Sequence, residues 1–431
     1  MKTIAWKHST ALLICAALPS ATFGSGFAIN EQSARSIGQA FSGRISDADN
    51  AATIATNPAG LSRLTQAEIS GGAAYIDAKS DIRNASASYT LPAPFGTQTV
   101  SGTNQGDMIP GITIPFIYYA QPINERWSAG FGVYAPFGLK TNYESTFQGR
   151  YLGTKSEVQI ITAQPTVSVK ITPKLSFGAG ITYNRIDGKL ERNSIGLIPP
   201  ATLLTNVDAR VKGDDEAWGY NVGFLYEINQ DTRWGVAYYS KVDYTLEGHS
   251  DIHNLGPTPL RFDASLDINT PDRIAIGLTH QLTPQMALHA DATRTNWRSL
   301  DKLVIENETT NPALASDSEN LDWNDSWLYS LGLSYAINQE WTVRGGVAYD
   351  QTPIPDSTRS VRVPSGSRTE FAVGTTWTPM SSLSIDLAYL YFHERDTNID
   401  TTQVHAGVPY HYSAQYKNSA NVFGLQLTWK L

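Results

Sequence analysis

Near the end of this 431-residue chain, Phe423, Leu425, Leu427, Trp429 and Leu431 alternate with Gly424, Gln426, Thr428 and Lys430. A strand with that pattern has one apolar and one polar face. The same period of two recurs in Leu383, Ile385, Leu387 and Tyr389, in Trp341, Val343, Val347 and Tyr349, in Tyr329, Leu331, Leu333 and Tyr335, and in Phe177, Ala179, Ile181 and Tyr183. Many amphipathic strands need one shared apolar surrounding.

Six short turn signals punctuate the pattern: Pro122 to Glu125, Thr172 to Lys174, Asn229 to Asp231, Thr283 to Gln285, Asn338 to Glu340 and Thr378 to Met380. Trp127, Trp234, Trp341 and Trp377 lie close to them, where an interfacial girdle of indoles would sit. Each interval between turns holds two strands and one long connection, the short-turn, long-loop asymmetry of an outer-membrane barrel. Six turns join twelve strands. A first strand near Ala67 to Lys79 and a last near Asn418 to Leu431 bring the expected count to fourteen, even as bacterial barrels require. A soluble β-sandwich or β-helix would have no reason to place indoles beside every second turn.

Composition agrees without deciding. Mean hydropathy is −0.26, and no stretch beyond the leader approaches the ~18 to 20 apolar residues of a membrane helix. A barrel shows just this profile, because only alternate residues face lipid. The chain opens with Lys2 and Lys7, an apolar run from Ala11 to Leu18, then Pro19 and small residues to Gly24, which is the order of a secretory signal peptide over residues 1–24. Removing it takes away two lysines and no acid from a chain of formal net charge −8. So acidic a chain is a poor partner for nucleic acid. Cys15 is the only cysteine and goes with the leader, so the mature chain has neither disulfide nor thiolate chemistry.

Residues 25–64 are the exception to the β pattern. Ile29, Ala34, Ile37 and Phe41 recur at helical spacing, and Asn57-Pro58-Ala59-Gly60 is expected to stop any helix. A barrel of about fourteen strands is too wide for its own side chains to fill. The expected fold is therefore an all-β, 14-stranded antiparallel transmembrane β-barrel (residues 65–431) with an N-terminal helical hatch (25–64) plugging the lumen. Lumen-phase His289, Asp291, Arg344 and Asp386 are expected to form a polar network around that plug.

Three stretches could carry function. Tyr134-Ala135-Pro136-Phe137-Gly138 should break or bulge the third strand, because proline cannot donate to a ladder and glycine weakens it. The break either opens the wall at Pro136, Phe137 and Gly138 or merely ends the strand. The apolar outer loop Ile195 to Leu204, with Leu197, Ile198, Leu203 and Leu204, is a candidate groove for hydrophobic ligands or a cap packed on other loops. Arg185, Lys189, Arg192 and Lys241, toward outer strand ends, are candidate partners for a carboxylate or simply solvated rim charges. Catalytic signatures are lacking: the histidines are dispersed without metal-ligand spacing, and neither a G-x-S-x-G elbow nor a phosphate loop occurs. No enzyme, cofactor or metal is expected. An outer-membrane lipid hydrolase and a surface receptor or adhesin are the alternatives from other classes.

The runs Gly26 to Ser33, Gly38 to Gly43, Asp49-Asn50-Ala51 and Asn57 to Gly60 resemble the N-terminal hatch of the FadL outer-membrane transporters of long-chain fatty acids. Ala135 to Leu139, Tyr244 to Gly248, Asn269-Thr270-Pro271, Trp297 and Asp350 to Asp356 extend the resemblance over the mature chain. It implies a hatch motif, Asn57-Pro58-Ala59, beside a kink in the third strand, a lumenal ligand site near Gly26 and Phe27, and passive release sideways through the wall. It also implies a location in the outer membrane of a Gram-negative bacterium and a monomer working among outer-membrane lipid. The ligand is expected to be a long-chain fatty acid, with aromatic or alkane hydrocarbons as the alternative for the same fold.

Overall fold

The structure is a computed structural model that describes residues 26–198, 202–256, 258–312, 314–405 and 407–431, with the side chains of 196–198, 202–206 and 405 left aside. Residues 1–25, which include the expected signal peptide, lie outside the described residues. Fourteen strands form the wall: β1 (Glu68–Leu91), β2 (Ile112–Pro122), β3 (Trp127–Asn142), β4 (Lys155–Lys170), β5 (Leu175–Ile198), β6 (Thr202–Glu227), β7 (Thr232–Tyr239 continued by Val242–His253) and β8 (Leu260–Thr270 continued by Arg273–Thr283). They continue as β9 (Met286–Thr295, then Lys302–Asn307), β10 (Ser316–Asn320, then Ser326–Ala336), β11 (Trp341–Asp350), β12 (Arg368–Met380), β13 (Leu383–Glu394, then Thr397–His405) and β14 (Val408–Lys430). Each pairs antiparallel with its neighbours, and β1 pairs with β14 from Glu68 opposite Lys430 to Tyr89 opposite Tyr410. The sheet closes on itself and leaves no edge along that seam.

Alternation sets the two faces. On β14 Phe423, Leu425, Leu427 and Trp429 are exposed outward, while Gln426 and Thr428 are buried inward. The four indoles expected beside the short turns, Trp127, Trp234, Trp341 and Trp377, are all exposed, and Trp341 stacks on Trp377 across adjacent strands. The six short turns fall where they are expected, except that the last is displaced to Ser381 and Ser382 after a register shift between Trp377 and Met380.

The first and last strands are longer than the sequence suggests. A tilted strand crosses the membrane in about 9 to 11 residues, whereas β1 has 24 and β14 has 23, and β6 is longer still at 26. The surplus stands beyond the outer face as continued sheet. The stretch around Ile195 is accordingly the hairpin of β5 and β6, with Leu197 paired to Leu203, not an irregular loop.

Inside the ring sits the segment from Gly26. Its helical content is less than the spacing predicts: α1 covers only Ala34–Ile37 and α2 only Thr53–Thr56. Ala40 and Phe41 adopt positive φ, which ends α1 before the apolar periodicity does. Asn57 ends α2, but Pro58 then opens a 3-10 turn, Pro58–Arg63, in which the Asn57 side chain accepts from the Ala59 amide. Proline suits that first position because its missing N–H would have no partner there.

The segment meets inward-facing groups around the circumference. Gln426 on β14 accepts from Ser33 and the Ala34 amide, and Asp386 on β13 accepts from Arg35 at 3.1 Å. Asp291 on β9 accepts from the amides of Gly43 and Ile45, and Ser62 donates to Ser176 on β5. His289 bonds Thr279 and Ser334 beside it, and Arg344 lies 3.9 Å from Asp386. The expected polar network is thus present, and it satisfies groups that burial would otherwise leave unpaired.

Candidate functional site

The wall is incomplete between β2 and β3. Their ladder runs only from Pro122 opposite Ser128 to Ile117 opposite Val133. Beyond it β2 continues against β1 alone, and the β3 to β4 register shifts between Tyr134 and Phe137. Pro136 falls within the shift, as its missing donor requires. The ladder position that β2 vacates is taken by the start of the described chain. The Ile29 amide donates to the Pro136 carbonyl and the Gly138 amide to the Phe27 carbonyl, each at 2.9 Å, which sets Ala28 opposite Phe137. Pro136, Phe137 and Gly138 thus lie where the β2 to β3 ladder is interrupted, and Phe27 to Ile29 pair with them from within.

Phe27 is held by aromatic rings: Trp297 at 4.9 Å edge-on, Phe137 at 5.7 Å and Trp323 at 6.1 Å between centroids. Gly26 turns the chain into this box at φ +62°, which a glycine adopts without strain.

Above the box lies an apolar cavity lined by Phe27, Leu139, Val158, Ile186, Leu190, Val211, Leu246, Leu266, Leu303, Leu321, Trp323 and Ile354 among others. At its outer end stands Arg362, from the long loop between β11 and β12. Its Nη1 donates to Ser156 Oγ at 3.0 Å and to the Lys155 carbonyl at 3.2 Å, and Glu319 lies at 3.4 Å from Nε. Burial holds this guanidinium below its usual basicity, with Glu319 opposing the effect. It nevertheless stays charged, so the outer end of a greasy cavity presents a cation.

The basic residues picked from sequence fare unequally. Arg185 is exposed and binds Asp187, Asp214 and Glu216, and Lys241 is exposed and binds Asp243. Neither reaches the cavity, because Arg185 shares the strand face of exposed Ile181 and Lys241 sits in the break of β7. Lys189 borders the cavity, but its ammonium turns to Glu191 at 2.6 Å. Arg192 pairs with Asp317 just beyond the outer end. Arg362, Trp323 and Leu303 are missed by sequence reasoning. An arginine between Val361 and Val363 in a loop otherwise rich in Ser and Pro is the signal that could have found the first.

Asn57, Pro58 and Ala59 seat elsewhere than expected, at β4 to β6 instead of the β3 gap. Asn57 Nδ2 donates to the carbonyls of Ile45 at 2.7 Å and Phe224 at 3.0 Å, and Ser168 donates to the Ala59 carbonyl. Their approach is so close that a Cβ on Gly223 would fall 2.0 Å from Asn57 Oδ1. What adjoins the gap is Phe27 to Ile29. For the outer groove, the side chains of Leu197, Ile198, Leu203 and Leu204 lie outside the described residues.

The long-chain fatty acid transport protein of Escherichia coli O6:H1 is 27% identical over 459 residues, covering 99% of each chain. Outer membrane protein P1 of Haemophilus influenzae is 28% identical with 98% of each covered. Among solved structures, a Pseudomonas aeruginosa FadL homologue superimposes with a TM-score of 0.84 at 22% identity over 94% of this chain and all of that one. The Ralstonia pickettii toluene transporter TbuX gives 0.67 at 20% identity over 93% and 98%. These two show likeness of fold. The profile of the outer membrane protein transport proteins (OMPP1/FadL/TodX) matches residues 15–431, and the chain belongs to that family of outer-membrane transporters of hydrophobic compounds.

Proposed function

We propose that the chain carries long-chain fatty acids passively across the outer membrane. The observation that carries this reading is the apolar cavity with the Arg362 guanidinium at its outer end. Burial is worth about 0.8 kcal/mol per CH₂, so a sixteen-carbon tail favours such a cavity over water by about 12 kcal/mol. A charge-assisted bond to Arg362 then fixes the carboxylate. Transfer between apolar sites needs no nucleotide. The wall closes within one chain, which suits a monomer surrounded by outer-membrane lipid.

In this reading ligand enters past Arg362, fills the cavity above Phe27, and leaves sideways when Phe27 to Ile29 let go of β3. Residues 26–64 act as the hatch, held at Asn57-Pro58-Ala59 while the start of the chain moves. The Escherichia coli relative is named for long-chain fatty acids. A second reading rests on the aromatic box of Phe27, Trp297 and Trp323, which would suit a monoaromatic hydrocarbon, and TbuX is named a toluene transporter. The extended apolar lining and the Arg362 cation favour the fatty acid. The deciding experiment compares binding of oleate, methyl oleate and toluene to the purified barrel. Oleate should bind at least ~tenfold tighter than its ester; equal binding, or preference for toluene, would replace the fatty acid by the hydrocarbon.

A further inference from the structure

On the inner side of the aromatic box lies a second, separate cavity. Its walls are unlike the first. Thr162, Thr182, Asn184 and Asn221 supply polar groups, and Arg273 stands in it where β8 resumes after Pro271. The guanidinium stacks between two rings, 4.6 Å from the centroid of Tyr239 and 5.2 Å from that of Phe137. Among the described residues no carboxylate pairs with Arg273, and its Nε is shut off from solvent without an acceptor.

A half-buried guanidinium whose Nε is sealed off in that way is costly, since the charge keeps part of its desolvation penalty without a partner to offset it. The carboxylate of the adjacent Asp272 accepts from Asn296. Arg44 is a second cation close enough to act on Arg273, and it donates to neutral Asn30 and Thr293. The carboxylate of Asp291 is taken by the amides of Gly43 and Ile45. The ring that Arg273 caps is Phe137, the residue facing Ala28 across the wall gap.

We infer that this inner cavity is a second anion site, in which Arg273 receives the carboxylate of an amphipathic ligand beside the β3 gap while the tail enters the bilayer. The inference rests on the fatty-acid reading for its ligand. Neutral hydrocarbons would pass the site without using it, so Arg273 divides acidic from neutral ligands at the exit, as Arg362 does at the mouth.

The test uses the purified mature chain held in amphipol, with Arg362→Met as background so that the outer cation is gone. Equilibrium binding of radiolabelled oleate and methyl oleate is measured with and without Arg273→Met. Adding Arg273→Met should weaken oleate about tenfold, the factor one charge-assisted hydrogen bond supplies, and leave methyl oleate within about twofold. Arg273→Lys should restore most of the loss. Methyl oleate binding also reports that each variant is folded; should Arg273→Met not assemble, Arg273→Gln takes its place. Oleate unchanged, or both ligands weakened alike, would overturn the site and leave Arg273 a packing residue. The fatty-acid reading fails by a different measurement: cells lacking their own transporter and expressing this chain would take up oleate no faster than empty cells.

Discussion

Ala28 and Phe137 face each other as a non-hydrogen-bonded antiparallel pair: the bonds on either side run from Ile29 to Pro136 and from Gly138 to Phe27. Three residues at the start of the described chain thus occupy the ladder position that β2 gives up beyond Ile117. The barrel is sealed there by a segment that is not part of its wall. A short strand held by few bonds can leave at modest cost, whereas parting two long wall strands would break a whole ladder.

That pairing predicts a lock. Non-hydrogen-bonded pairs have Cα atoms about 4.5 Å apart, within disulfide range, and the mature chain has no competing cysteine. Ala28→Cys with Phe137→Cys should oxidise readily. Oleate uptake should then fall by about tenfold or more, recovering on reduction. Full uptake with the disulfide formed would mean that ligand leaves without displacing this strand.

Gly26 sets how the strand is presented. A Cβ there would lie 2.7 Å from the Trp323 ring and 2.8 Å from that of Trp297, at a φ of +62°. The left-handed conformation alone costs a side-chain-bearing residue about 1–2 kcal/mol. Gly26→Val should therefore unseat Phe27 from its aromatic box and loosen the seal. Single-channel conductance in a planar bilayer is expected to rise from nearly closed to a measurable leak, and a silent trace would show that the seat adapts.

Some of this can be read in sequence, for reasons of range. Strand alternation and turn chemistry are local, so Phe423 to Trp429 and the six turns are visible directly. Arg185 was also decidable: it stands four residues from Ile181 on one strand, hence on the lipid-side face. The start of the chain was not. Ala40 and Phe41 take a left-handed backbone that no local rule demands, and tertiary packing overrides the helical spacing around them. Pro136 announces a break in β3, but which segment fills the break depends on closing a ring of fourteen strands. Arg362 reaches the cavity through a loop fold that spacing does not encode.

Asn57 should anchor the lumenal segment independently of the wall. Asn57→Ala leaves the Ile45 and Phe224 carbonyls without this donor, and each buried unpaired group costs about 1–3 kcal/mol. Amides of residues 44–63 should exchange faster by two orders of magnitude or more, while the barrel keeps its resistance to heat and detergent, because its ladders do not involve Asn57. Gly223→Ala, which would drive a Cβ into Asn57 Oδ1, should give the same local pattern. Global unfolding in both would mean that the segment and the wall form one cooperative unit.

Arg362 offers the sharpest distinction between ligand classes. Its donors reach the Ser156 hydroxyl and the backbone carbonyls of Lys155 and Glu191, and the carboxylate it pairs with, Glu319, is a long 3.4 Å away. A carboxylate arriving from outside can displace that weak contact, whereas an ester or toluene gains nothing from it. Arg362→Gln keeps the polar contacts to Ser156 in reach while removing the charge. Oleate affinity should fall about 10- to 100-fold, in line with charge-assisted bonds of about 1.5–3 kcal/mol, with methyl oleate and toluene within about twofold of the parent. Glu319→Gln should act in the opposite direction and tighten oleate, because it removes the competing anion. Titration of the three ligands against both variants checks the pair of signs together; oleate indifferent to both would take the carboxylate away from Arg362.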